Sequence, residues 1–227
     1  MIRANLRQRL SASDFDLVIA LLGRGRPAGQ RYYADLMAEE GPDRLLDEPG
    51  LAGLLRGAPL AGGPSAALFF YVVVRHGLRE SGIDHLRLSD YLGSLLLEFG
   101  VRDRAHRITP HDDEIRHYLA DLVADLDSAE GQREFLVLAH LGNFSLWLAG
   151  VFPQYIAARS ARNGAPGVGY YENMGARGFR MAAGHGMARA LDLDDIYEDV
   201  AGDFPRIRRA LNGLSGMFTA SPNPRAA

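Results

Sequence analysis

His140, Asn143 and Trp147 are the residues whose types and spacing come closest to a site. They follow i, i+3, i+7, so on a helix they share one face. They lie in the segment 135–152, which carries no charged residue. An imidazole and a carboxamide inside such a segment must find partners or cost about 1–3 kcal/mol each. The three are read as ligand-binding residues on a pocket wall. A structural partner from another helix is the competing reading. Gly142 beside them leaves room for a second helix or a flat ligand to approach closely.

Metal chemistry is the next class to weigh. Glu114-Ile115-Arg116-His117 is an E-x-x-H, the spacing used by carboxylate-bridged di-iron bundles because i and i+3 share a helical face. Such a site needs two copies and two further glutamates, and only one copy occurs. The motif is therefore read as a solvated polar face, and no metal ligands are assigned. The enzymatic alternative is a metal- or haem-dependent site that joins His140 to His76, His117 or His185 and to Glu98, Glu114 or Glu172.

Other motifs are weaker. The run Gly167-Val168-Gly169-Tyr170-Tyr171-Glu172-Asn173-Met174-Gly175 lacks the final glycine of G-x-G-x-x-G and has no lysine after it, so it is read as a turn into a helix with packing tyrosines. Glu172 could pair with Arg159 or Arg162 across that turn. Gly184-His185-Gly186 suggests close helix packing inside an Ala-rich helix. Neither G-x-S-x-G nor H-E-x-x-H is present.

The 227-residue chain has no cysteine, and all 25 of its basic Lys/Arg residues are arginine. Disulfides, thiolate ligands, thiol nucleophiles, Schiff-base lysines and a P-loop lysine are thereby excluded. A formal net charge of −3 gives no global attraction to nucleic acid. Nucleic acid is accordingly not the expected partner, although Gly23-Arg24-Gly25-Arg26 and Arg206-Ile207-Arg208-Arg209 keep a helical regulator contacting it as a third alternative. The amino terminus lacks the apolar core of a signal peptide, and the expected location is the cytoplasm.

The elements that must position these residues all read as helices. Ser13-Asp14 caps an apolar run that Gly23 stops, and Pro27 opens a second helix to Gly41-Pro42. Residues 41–64 are broken by Gly and Pro into short pieces around Leu45-Leu46 and Leu51–Leu55. A small N-terminal subdomain, residues 1–60, would part from the rest there. Helices are expected over 65–78 and from about Leu88 to Phe99. Another, from His111, carries Ile115, Tyr118, Leu119, Leu122 and Leu126. The segment 135–152 reads as a central buried helix rather than a membrane span. Further helices begin at Pro153, after Gly167 and near Asp194, the last with a kink or break at Pro205.

The expected fold is all-α. It is a single compact domain over 1–218, of roughly eight to ten helices around the 135–152 helix, with a disordered tail at 219–227. The expected function is a non-catalytic module that binds a protein partner or a small apolar ligand; no cofactor is assigned.

Overall fold

The structure, a computed structural model, describes residues 1–58, 63–101 and 103–217. The tail expected at 219–227 lies outside the described residues, as do positions 59–62 of the punctuated stretch. The described chain is all-helical, with thirteen α-helices and no strand among those residues. In order they are α1 (Ala12–Leu22), α2 (Pro27–Glu40), α3 (Pro42–Leu46), α4 (Leu51–Arg56), α5 (Ala66–Glu80), α6 (Leu86–Phe99), α7 (Leu119–Leu126), α8 (Gly131–Val151), α9 (Pro153–Asn163), α10 (Val168–Gly184), α11 (Gly186–Ala190), α12 (Asp194–Gly202) and α13 (Phe204–Asn212).

The helix number exceeds eight to ten because local breakers cut the pattern into shorter pieces. Pro205 falls in the first turn of α13, so it starts a new helix instead of kinking an old one. His185 divides α10 from α11: its Nδ1 accepts the Met187 backbone N–H, which is helix-capping chemistry. Gly184 and Gly186 have no neighbour where a side chain would stand, so they do not serve the close packing expected of them. The first cap is also shifted. Ser11, not Ser13, caps α1, in a reciprocal capping box with Asp14.

α8 is the centre of the fold. It packs against α6, α7, α10 and α13. It is also the one helix among the described residues long and apolar enough to cross a membrane, yet 83% of that stretch is buried within the protein. Its tightest contact is with α10. A Cβ on Gly142 would stand 2.8 Å from the Phe179 ring, and one on Gly178 would stand 2.9 Å from the Leu138 carbonyl. Backbone atoms cannot swing aside as side chains can, so glycine at 178 lets these two helices meet. The room left at Gly142 is taken by a helix.

A second cluster of buried residues gathers the N-terminal helices. Val18, Leu22, Leu45, Leu46, Leu51 and Leu55 pack on Leu68, Tyr71 and Val72 of α5. The opposite positions of α5, Val73, Val74 and Leu78, belong to the cluster around α8. One helix thus supplies a wall to both clusters.

Candidate functional site

His140 and Asn143 are buried and Trp147 is half-buried. The His140 ring stacks on Phe144, with centroids 6.1 Å apart, and lies 5.6 Å from Phe99. Burial, then the nearby Arg104 guanidinium, pushes its imidazole down to about 3, although a bond to the Ala105 backbone works the other way. Its Nε2 has no hydrogen-bond partner among the described residues. Trp147 joins the same aromatic group, 5.8 Å from Phe99 and 4.9 Å from Phe152.

Asn143 looks elsewhere. Its Oδ1 accepts the Tyr91 hydroxyl at 2.6 Å, next to Tyr197, whose ring is 5.7 Å from Tyr91. The structure therefore brings His140 and Trp147 together and assigns Asn143 to a tyrosine pair. None of the three lines either cleft described below.

The residues weighed for metal chemistry are scattered among other partners. The E-x-x-H does not sit on a helix, because α7 starts only at Leu119. Ile115 and Tyr118, expected on a buried stripe, are 39% and 50% exposed. The Arg116 N–H bonds the His106 carbonyl instead of a helical neighbour, and its guanidinium holds Asp125 and Glu114. His117 packs on His106 with ring centroids 4.8 Å apart. His76 Nε2 meets the Leu46 carbonyl at 3.0 Å, Glu98 faces Arg104, and Glu172 pairs with Arg208 at 2.6 Å rather than with Arg159 or Arg162. Among the described residues no group of three or more His, Asp or Glu side chains is placed to hold a metal ion.

Two clefts flank the N-terminal helices. The larger, about 600 Å³, is lined by Arg3, Arg7, Asp43, Arg87 and Asp90 with several leucines. Asp90, only 3% exposed, accepts the Arg7 backbone N–H at 2.8 Å. Burial raises its carboxyl above the usual carboxylate range, against the pull of those bonds. Arg7 pairs with Asp43 and Arg87 with Asp192, so most of the lining charge is already matched. The smaller cleft contains Arg75, held by Asp47 and Asp84. Both clefts are built mainly of ion pairs that fasten the N-terminal segments to α5 and α6.

Unmatched charge lies on the other side of the chain order. Residues 152–190 contain Arg159, Arg162, Arg177, Arg180 and Arg189, and one acid, Glu172. That acid is turned toward Arg208 on α13. Arg159, Arg162, Arg177 and Arg180 make no ion pair with a carboxylate among the described residues.

Along α10, the exposed positions Tyr170, Asn173, Arg177, Arg180 and Met181 repeat at helical spacing. At its N-terminal end this stripe meets α9. The Arg159 guanidinium lies over the rings of Tyr118, at 5.2 Å, and Tyr155, at 5.6 Å. Burial pushes the Tyr171 hydroxyl above its ordinary value, and the same guanidinium works against that rise. Tyr171 is buried and Tyr170 is 40% exposed, so of the two expected packing tyrosines only Tyr171 packs in the core.

Of the arginine clusters singled out in the sequence, Arg24, Arg26 and Arg209 likewise make no ion pair with a carboxylate among the described residues, whereas Arg206 and Arg208 are taken up. Arg206 donates to the Ser81 and Gly82 carbonyls, and Arg208 is held by Glu172 and Asn212. Arg24 and Gly25 form a turn with positive φ between α1 and α2. The α10 stripe was readable from the spacing of positions 170, 173, 177, 180 and 181, a helical period of polar residues rather than of apolar ones. No family model, curated protein or solved structure matches this chain.

Proposed function

We propose that the protein is a non-catalytic binding module whose working surface is the α9–α10 face and whose partner is an anionic macromolecule. The observation that carries this reading is local: residues 152–190 set Arg159, Arg162, Arg177, Arg180 and Arg189 against a single acid, Glu172, which Arg208 already holds. Arginine and tyrosine are the residue types enriched at binding surfaces, where each joins a polar head to a flat apolar body. The overall charge of −3 hides the asymmetry, because residues 191–203 hold six acids and no arginine. A field of this kind orients an approaching polyanion even when net charge repels it. A small apolar ligand at His140, Asn143 and Trp147 has less behind it, since His140 is buried and already packs on Phe99 and Phe144 while Asn143 is taken by Tyr91.

Chromatography on immobilised heparin tests the reading. The wild-type chain is expected to be retained at about 50 mM salt, and Arg177→Ala with Arg180→Ala to elute earlier, because each arginine removed releases fewer counterions. Arg24→Ala with Arg26→Ala, away from this face, should elute like wild type. Passage of the wild-type chain without retention, or equal elution of all three, contradicts the proposal.

A further inference from the structure

Resting on the binding surface just described, we infer that its partner is a single-stranded nucleic acid, whose phosphates meet the arginines while its unpaired bases stack on Tyr118 and Tyr170. Three features of the face favour this over other polyanions.

The first is exposed π-surface. Tyr118 is 50% exposed and Tyr170 40%. Each ring already has one fixed neighbour, Arg159 over Tyr118 and Tyr171 edge-on to Tyr170 at 5.8 Å. The rings are therefore held in place with surface to spare, as a stacking platform requires. A base in a duplex is covered above and below by its neighbours, so only an unpaired base offers a free face.

The second is the order of the groups. Tyr118 and Arg159 stand at one end, Tyr170 follows at the start of α10, and Arg177 and Arg180 continue along the same exposed stripe. By helical rise, Arg177 and Arg180 lie about 10 and 15 Å beyond Tyr170. Rings at one end and cations at the other form a track for a strand that carries bases and phosphates together. An acidic protein surface would use the arginines and leave the rings idle. A membrane surface needs bulky aliphatic side chains to bury, and Met181 is the one such residue exposed on this stripe.

The third is what borders the track. α12, packed against α10, begins in the acidic run Asp192, Asp194, Asp195, Glu198, Asp199. Asp192 and Asp199 are held by Arg87 and His85, but Asp195 and Glu198 stand exposed, so phosphate is disfavoured along α12.

The experiment is fluorescence anisotropy of the full chain with labelled oligothymidine of about fifteen nucleotides and with an abasic oligomer of equal length and charge. Oligothymidine is expected to bind about tenfold or more tightly than the abasic strand at the same salt. Tyr118→Ala with Tyr170→Ala should remove that advantage and leave abasic binding unchanged. Tyr170→Leu, which keeps apolar area but not the ring, should lower affinity for oligothymidine alone. Equal affinity for the two strands overturns the stacking inference while the polyanion reading stands. Tighter binding of duplex than of single strand also overturns it, and binding of neither strand defeats both.

Discussion

Between pH 6.5 and pH 4 the protein is expected to lose about 3 kcal/mol of folding stability through His140 alone. In the unfolded chain this imidazole titrates near its ordinary value of about 6.5, whereas in the fold burial holds it down to about 3. Because the native pKa is the lower one, the unfolded chain takes up a proton that the native state refuses. The contribution of neutral His140 is complete above pH 6.5 and is lost progressively as pH falls toward 3. His106, also lowered by burial, pulls in the same direction. The carboxylates that bonding holds below their usual range, Asp14, Asp47 and Asp112, enter only near and below their unfolded values of about 4. Asp90, raised by burial, acts with the opposite sign, from its unfolded value of about 4 upward.

The fall in stability from pH 6.5 to about 4.5 thus comes from the two histidines, with Asp90 opposing it toward the lower end. Urea unfolding across it should show a steep fall for wild type. His140→Phe keeps a ring against Phe99 and Phe144. It should be about 1 kcal/mol less stable at pH 7, through loss of the bond to the Ala105 backbone, yet show a much flatter profile. A wild-type stability that stays level from pH 6.5 to 4.5 would contradict the buried, neutral imidazole.

Asp47→Ala should cost about 3–5 kcal/mol, the range for removing one partner of a buried ion pair. Arg75 is 2% exposed, and Asp47 grips it at both oxygens, 2.9 Å to Nε and 2.8 Å to a terminal nitrogen. Burial opposes the Arg75 charge, but the bonds to Asp47 and Asp84 outweigh it and raise the guanidinium above its ordinary value. One terminal nitrogen, Nη1, is already buried without a hydrogen-bond partner among the described residues. Without Asp47 the guanidinium would keep only Asp84, whose side chain is 68% exposed. The loss is local in origin. Asp47 closes α3, so its removal also unties the N-terminal helices from α5. Proteolysis within residues 41–64 should accelerate before the remainder of the fold opens. Thermal unfolding of Asp47→Ala within about 1 kcal/mol of wild type would show that the pair is not what fastens these segments.

The central helix was legible because an uncharged run of such length has few other places to go, and α5 because its apolar pattern outlasts any strand. The prolines at 27 and 153 mark helix starts for the same stereochemical reason in sequence and structure. The helix expected from His111 failed in its first half. The periodicity of Ile115 and Tyr118 with α7 is real, but Arg116 bonds the backbone and carboxylates far from its own turn, and those contacts hold 111–118 open. Periodicity says which residues could share a face. It does not say whether a long-range ion pair competes with the helix.

The site was less legible, for a related reason. Arg206 and Arg208 are adjacent to other arginines in sequence and are taken up by carbonyls and a carboxylate in the fold. Arg159, Arg162, Arg177 and Arg180 are dispersed in sequence and meet no carboxylate among the described residues. Which arginines are left over depends on pairings between distant residues, and net charge averages that distinction away. Likewise His140 and Asn143 share a helix face in projection, but one meets an aromatic stack and the other the Tyr91 hydroxyl.

The central claim is that Arg159, Arg162, Arg177 and Arg180 form the working surface, and the salt dependence of oligothymidine binding tests it most directly. For single strands, log affinity falls against log salt with a slope of about −0.7 per phosphate neutralised, so four engaged arginines predict a slope near −2.8. Arg159→Ala with Arg177→Ala should reduce it to about −1.4. An unchanged slope in that variant, or no binding even at low salt, would contradict the assignment of this face.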